Sequence, residues 1–282
     1  MMKRIILYTV VAALFSASLV LNGCKKKDDA VVTPPVVDNS VPKNVFPLTA
    51  GHALMYNGYL TSGDTETKIA GTDAGYSSTW VITGNTPLAA VLGPLAQFIP
   101  RTSASLILDT TKAVGKVVFT PIFAYYDTTS GDYYYLTNLG YNYRKYQVSL
   151  ASDSGKKIRI DSLKFIKLAS PSAGIGTEFS AYHDTLLAYL AGPGTTPTKL
   201  VVDIKGKFDS KQNVTVNVNG KDSTFSAYYL IITNVAGPAG GTQTGGITAR
   251  LWLVPGVGPV QMFIAGNVEQ PGNYRTLKGM NF

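Results

Sequence analysis

Few residues in this 282-residue chain have the types and spacing that chemistry needs. His52 and His183 are the two histidines, far apart and without partner cysteines, so no metal spacing is present and no cofactor is expected. Ser180, His183 and Asp184 would suit a nucleophile and base if 180 and 183 shared a helix face, but no Gly-x-Ser-x-Gly turn presents the serine. Glycoside hydrolysis needs two carboxylates about 5–9.5 Å apart. Asp109, Asp127, Asp132, Asp153, Asp161, Asp203 and Glu178 are available, most of them at expected turns, where aspartate is a good turn former. Gly256-Val257-Gly258 lacks the third glycine and the following helix of a phosphate loop. No catalytic residue is assigned.

Tyrosine is more informative. Tyr125, Tyr126, Tyr133, Tyr134, Tyr135, Tyr141, Tyr143 and Tyr146 crowd one short region. If the strands there pair in sequence order, Tyr133 and Tyr135 share a face, and Tyr141 and Tyr143 can lie opposite on a neighbour. An exposed face of this kind stacks on sugar rings, with phenol hydroxyls fixing orientation. Tyr133, Tyr135, Tyr141 and Tyr143 are therefore the candidate ligand-binding residues, with cross-strand packing as the plainer alternative.

The elements that must position these residues are mainly β. Leu200, Val202 and Ile204 alternate with Asp203, Lys205 and Lys207. Val214, Val216 and Val218 repeat the pattern before Asn219-Gly220, a two-residue hairpin turn, and Asp222 to Thr233 returns antiparallel. These segments predict a meander of about three strands. A second meander runs through Val117–Tyr126, a turn at Thr128–Gly131, Asp132–Thr137 and Tyr141–Leu150. Phe119–Tyr126 and Ala227–Ile232 are apolar on both faces, as in strands covered on both sides. Leu88–Ile99 and Thr177–Ala191 are the two candidate covering helices, the second with Tyr182, Leu186, Tyr189 and Leu190 on one face. The fold class expected is a single mainly β domain, a curved antiparallel sheet with one or two short covering helices.

Cys24 is the only cysteine, and it closes a secretory pattern: Lys3 and Arg4, an apolar run from Ile5 to Leu21, then Asn22-Gly23. Leu21-Asn22-Gly23-Cys24 resembles the lipobox of bacterial lipoproteins. The resemblance implies a diacylglyceryl thioether on Cys24, cleavage before it and stable anchoring by more than one acyl chain, palmitate among them. Lys27-Asp28-Asp29 resembles the export signal that carries some Gram-negative lipoproteins to the outer face of the outer membrane. Loss of residues 1–23 leaves 259, with 23 basic and 17 acidic residues, a net charge of +6. Pro34, Pro35 and Pro42 mark 24–43 as a lipidated tether; nineteen extended residues reach about 60 Å at about 3.1 Å each. Residues 44–282 carry no second linker and form one domain. The basic residues make no stripe, which argues against nucleic acid as a partner.

Two motifs bracket that domain. Phe46-Pro47-Leu48-Thr49-Ala50-Gly51 with Tyr56, and Trp252, Gly256, Gly258 and Val260 near the end, resemble a poorly characterised family of exported bacterial lipoproteins. That resemblance implies a curved antiparallel sheet and brings no assigned reaction.

The sequence points to a non-catalytic, membrane-anchored binding domain on the outer membrane, at the cell surface or else on its periplasmic face. Its partners are membrane lipid through acylated Cys24 and a glycan, lipid or envelope protein. A polysaccharide hydrolase working through carboxylates and an acyl-chain carrier are the alternatives. Cys24→Ser is expected to abolish metabolic incorporation of an alkyne fatty acid; undiminished labelling of the variant would overturn the anchor.

Overall fold

The computed structural model describes residues 38–63, 65–139, 158–159, 163–190, 198–266 and 271–282, and residues Asn39–Phe282 form one compact unit. Its strands are β1 (Ala53–Thr61), β2 (Ser77–Pro87), β3 (Ser103–Ala113), β4 (Lys116–Asp127), β5 (Asp132–Asn138), β6 (Ile158–Arg159), β7 (Leu163–Ala169), β8 (Glu178–Leu190), β9 (Thr198–Val218), β10 (Lys221–Pro238), β11 (Thr244–Val254), β12 (Gly258–Ile264) and β13 (Gly272–Met280). Twelve of them make one antiparallel, nearly closed, barrel-like sheet in the order β8-β9-β10-β11-β12-β13-β1-β2-β3-β4-β5-β7. The two-residue β6 pairs with the free side of β8. The mainly β, curved antiparallel expectation holds.

Alternation decides which side chains enter the interior. Leu200, Val202, Ile204 and Phe208 are buried on one face, an extra residue at Asp209 then shifts the register, and Val214, Val216 and Val218 are buried beyond it; the two runs expected as separate strands are one 21-residue strand, β9. The polar stretch from Asp209 to Asn213 reads as a break, yet it continues the ladder against β10. Asn219 and Gly220 both have positive φ, as the expected two-residue turn requires.

Thr177–Ala191 is not a helix. It supplies β8, and a bulge between Ser180 and Tyr182 switches the inward set from Phe179 and Ala181 to Leu186. Tyr182, Leu186 and Leu190 recur every four residues, a multiple of the strand period of two and close to one helical turn, so one strand face imitates a helical face. The other candidate is partly right: α1 (Leu88–Leu92) continues as a 3₁₀ turn, Gly93–Phe98. This segment covers a second core outside the sheet, where Leu88, Ile99, Ala104, Leu106 and Phe123 pack.

Phe119–Tyr126 is covered only in part. Phe123 and Ala124 are buried, whereas Val117, Val118 and Phe119 stand in solvent, because β5 pairs with β4 only from Ala124 onward. The matching run Ala227–Ile232 is central, as expected, between β9 and β11.

The end of the barrel at which β1 begins is sealed. Val41, Val45 and Phe46 are buried across it, so residues 39–43 pack on the domain instead of serving as tether. The two bracketing motifs meet here. The Tyr56 hydroxyl donates to the Pro259 carbonyl at 3.0 Å, and the Gly256 N–H donates to the Asn44 carbonyl at 2.9 Å. Gly256 and Gly258 sit at φ +77° and +99°, which explains both glycines of the later motif. The motifs are structural, joining the ends of the domain.

Burial, the largest cause in each case, raises Tyr133, Tyr135 and Tyr274 to about 12, and Tyr56 well above its ordinary value. In the unfolded chain these phenols ionise near 10. Between those values the unfolded state holds fewer protons, so stability falls as pH rises. Urea midpoints are expected to be unaffected by these groups up to about pH 9 and to drop steeply above about pH 10. Phenolate absorbance from the buried tyrosines should appear only as the chain unfolds; early ionisation without loss of structure would refute the burial argument.

Candidate functional site, an apolar cavity with a buried ion pair

Side chains from nearly every strand of the barrel surround a cavity of about 520 Å³. Ile107, Ile204, Ile232, Leu251, Met262 and Ile264 make most of the wall apolar. Phe46 and Trp80 floor it near the sealed end, and Thr248, Gly266 and Asn273 line it toward the opposite end. A space of this size, mostly apolar with a few convergent polar groups, matches the general form of small-molecule sites in barrels.

The polar groups converge on Arg275. Its Nη1 donates to Asp109 Oδ2 at 2.7 Å and to Ser78 Oγ at 2.8 Å. Its Nε proton is shared between the Tyr76 hydroxyl at 3.0 Å and Asn273 Oδ1 at 2.8 Å. Asp109 Oδ1 in turn accepts from Ser78 at 2.9 Å and from Thr111 at 2.8 Å. Arg275 is 7% exposed and Asp109 5%, so this pair is removed from water and must be hydrogen-bonded to survive there. Burial pulls the guanidinium pKa down, but Asp109 and the Tyr76 contact outweigh it and leave the value raised. The pair is neutral overall.

One donor on this wall is left over. Trp80 Nε1 is buried with no partner among the described residues. The Arg275 guanidinium lies 6.0 Å from the Trp80 ring centre. A buried N–H without an acceptor costs about 1–3 kcal/mol. The site therefore has a spare donor, is uncharged in sum and is set in an apolar wall. It suits a ligand with an apolar body and an uncharged acceptor such as an ester or amide carbonyl.

The tyrosines divide differently from expectation. Tyr133 and Tyr135 do share the inward face, but Tyr133 is 4% exposed, edge-on to Phe46, with its hydroxyl on the Lys43 carbonyl. It holds the sealing segment and presents nothing to solvent. Tyr135 lines the cavity. Tyr141 and Tyr143 lie outside the described residues, as do Tyr141–Leu150 as a whole and Cys24. An aromatic outer face exists elsewhere: Tyr229 stacks on Trp252 at 4.7 Å and Tyr59 on Tyr274 at 5.2 Å.

The candidate catalytic groups are not assembled. Ser180 and His183 lie on a strand, and exposed His183 faces Asp203 at 3.7 Å. Asp132 is bound to Lys167 at 2.8 Å and to Ser170 at 2.7 Å. Among the described residues Asp109 is the one carboxylate on the cavity wall, and no cluster of three metal-ligating side chains occurs. Sequence reading listed Asp109 among possible acids, but Arg275, Trp80 and Ser78 gave no signal, since nothing local marks a strand residue as facing a cavity.

No family model and no curated protein matches the chain. Two solved structures resemble it weakly. One is a protein described as a lipoprotein from Parabacteroides distasonis, with TM-score 0.43, 14% identity, and coverage of 84% of this chain and 98% of that one. The other is an exported protein with a YmcC-like fold from Bacteroides fragilis, with TM-score 0.40, 14% identity and the same coverage. Likeness at this level fixes no role.

The ion pair makes its own prediction. Asp109→Ala strands a buried guanidinium and is expected to cost about 3–5 kcal/mol in urea unfolding. Asp109→Leu combined with Arg275→Met should recover most of that loss. A double variant as unstable as Asp109→Ala would show that the pair is not the cause.

Proposed function

We propose that this chain is an exported, lipid-anchored binding protein of the outer membrane whose barrel interior holds an uncharged amphiphile. The lipobox-like Leu21–Cys24 supports the anchor, and Lys27-Asp28-Asp29 supports display at the cell surface. No helix among the described residues is long and apolar enough to cross a membrane. The outward face of the barrel is polar at β8 and β9, where Lys205 pairs with Glu178 at 2.8 Å and Lys207 with Asp209 at 2.9 Å.

The observation that carries the binding reading is the apolar cavity with an unpaired buried donor at Trp80 Nε1. An acyl or similar chain lies along Ile204, Leu251 and Met262, and its carbonyl accepts from Trp80 Nε1. An anionic head is disfavoured, because Asp109 already neutralises Arg275 and a second negative charge would enter the same dry space. The acyl-chain carrier is thus the favoured form of the binding hypothesis. A hydrolase with paired acids lacks its second carboxylate on this wall among the described residues.

The test uses the chain from residue 24 with Cys24→Ser and a fluorescent monoacylglycerol analogue. Saturable one-to-one binding is expected. Ala249→Trp, which fills the cavity from a half-buried wall position, should weaken it by at least about tenfold; Trp80→Phe, losing one donor, should weaken it by about three- to tenfold. Absence of saturable binding, or binding indifferent to Ala249→Trp, would remove the cavity from the function.

A further inference from the structure

The hairpin of β3 and β4 ends in an apolar, cationic tip that none of the described residues covers. Val114, Val117, Val118 and Phe119 are between 52% and 73% exposed. Pairing puts Val117 beside Lys112 and Phe119 beside Thr110, whereas Val118 pairs with Thr111. Successive strand residues point to opposite faces, so the tip is apolar on both. A hairpin that docks on another protein buries one face. A tip with apolar groups on both faces and at its turn is shaped for entry into an apolar medium.

Charge gives the medium its sign. Lys112 and Lys116 flank the turn, and no acidic residue occurs between Asp109 and Asp127. The turn itself adds a second observation. Val114 stands at φ +49° ahead of Gly115 at +73°. A β-branched residue in the left-handed region is strained where asparagine or glycine would not be. An exposed valine is kept there against the preference of the backbone.

The location also fits. β1 runs from the sealed end to Thr61, paired with Gly272 at the start of β13, and β12 ends nearby at Ile264. β2 begins at Ser77, and β3 and β4 run on past its partner Lys112 in the same direction to the turn. The tip therefore projects from the end of the barrel toward which Asn273 and Gly266 line the cavity, and Thr120 and Pro121 of β4 belong to the cavity wall itself.

We propose that the β3–β4 tip is a membrane-inserting element: Val114, Val117, Val118 and Phe119 enter the acyl boundary of a bilayer, and Lys112 and Lys116 bind its anionic headgroups. Apolar side chains ringed by lysines are the composition of interfacial anchors, whose binding grows with buried apolar area and with anionic lipid. The tip thereby brings the cavity to its lipid source, a step that builds on the proposed function, although the insertion stands on the tip's own exposure and charge.

Flotation with phosphatidylcholine vesicles, with and without phosphatidylglycerol, tests it on the chain from residue 24 carrying Cys24→Ser, so that no acyl anchor contributes. Wild-type protein should float with the anionic vesicles and be released by salt. Phe119→Asp, at a 73% exposed site, should weaken binding by at least about tenfold while leaving the melting temperature unchanged. Lys112→Gln with Lys116→Gln should remove the dependence on phosphatidylglycerol. Val114→Asn should raise the melting temperature and weaken flotation together, an opposition that a structural role cannot produce. Equal flotation of wild type and Phe119→Asp would overturn the proposal, as would Phe119-dependent self-association without vesicles. Retained binding of the monoacylglycerol analogue by Phe119→Asp keeps this result separate from the fate of the cavity.

Discussion

Twelve strands curled into a nearly closed sheet enclose more room than their own inward side chains fill. Eight strands leave an interior that side chains can just occupy, and sixteen or more leave a channel. This barrel lies between those limits, and its interior must be occupied by something other than its own walls. At one end the chain supplies the filling: Val41, Val45 and Phe46 cross the opening, and the Tyr133 hydroxyl on Lys43 and the Gly256 N–H on Asn44 fasten that segment. Beyond Phe46 and Trp80 no segment among the described residues enters, and the cavity remains. Its position follows from strand number and from where the plug stops.

The buried ion pair is the second consequence of that geometry. A polar group inside such a barrel has no solvent to turn to, so Arg275 is met from β2, from β3 and from its own strand: Ser78, Asp109 and Asn273, with Tyr76 just ahead of β2. Replacement of such a pair by apolar residues is often neutral or stabilising, so stability alone does not account for it. A neutral pair beside the unpartnered Trp80 N–H would orient the proposed ligand and disfavour charged heads. It works as a selectivity element that costs little once its partners are built into three strands.

What the sequence disclosed depended on how local each signal is. Period-2 alternation survived in β9 and β10, and the Asn219-Gly220 turn was legible because its φ requirement is carried by two residues. β8 was misread because Tyr182, Leu186 and Leu190 recur every four residues, a spacing that a strand face and a helix face share. Phe119 was misjudged because local composition cannot say how far a neighbouring strand extends; β5 is short, and the apolar run outlasts it. Tyr133 belonged to a conspicuous cluster, yet its role comes from Phe46 and Lys43, about ninety residues away in the chain. The cavity residues were silent for the same reason. Arg275 and Asp109 are 166 residues apart, and only the pairing of β13 with β1, next to β2 and β3, brings them together.

The exposed tip bears on whether its lysines serve solubility alone. Exposed apolar strand ends invite association, and charged neighbours such as Lys112 and Lys116 are a common defence. For that purpose acidic residues would serve at least as well, since added carboxylates improve solubility more than added cations do. Yet seventeen consecutive residues from Thr110 to Tyr126 hold two lysines and no acid, around Val117-Val118-Phe119. Protection alone would also favour asparagine over valine at position 114, relieving the turn and removing an apolar side chain together. Both choices run against aggregation control and agree with contact to an anionic, apolar surface. That agreement makes the tip a membrane-facing feature and not an uncovered remnant of the sheet.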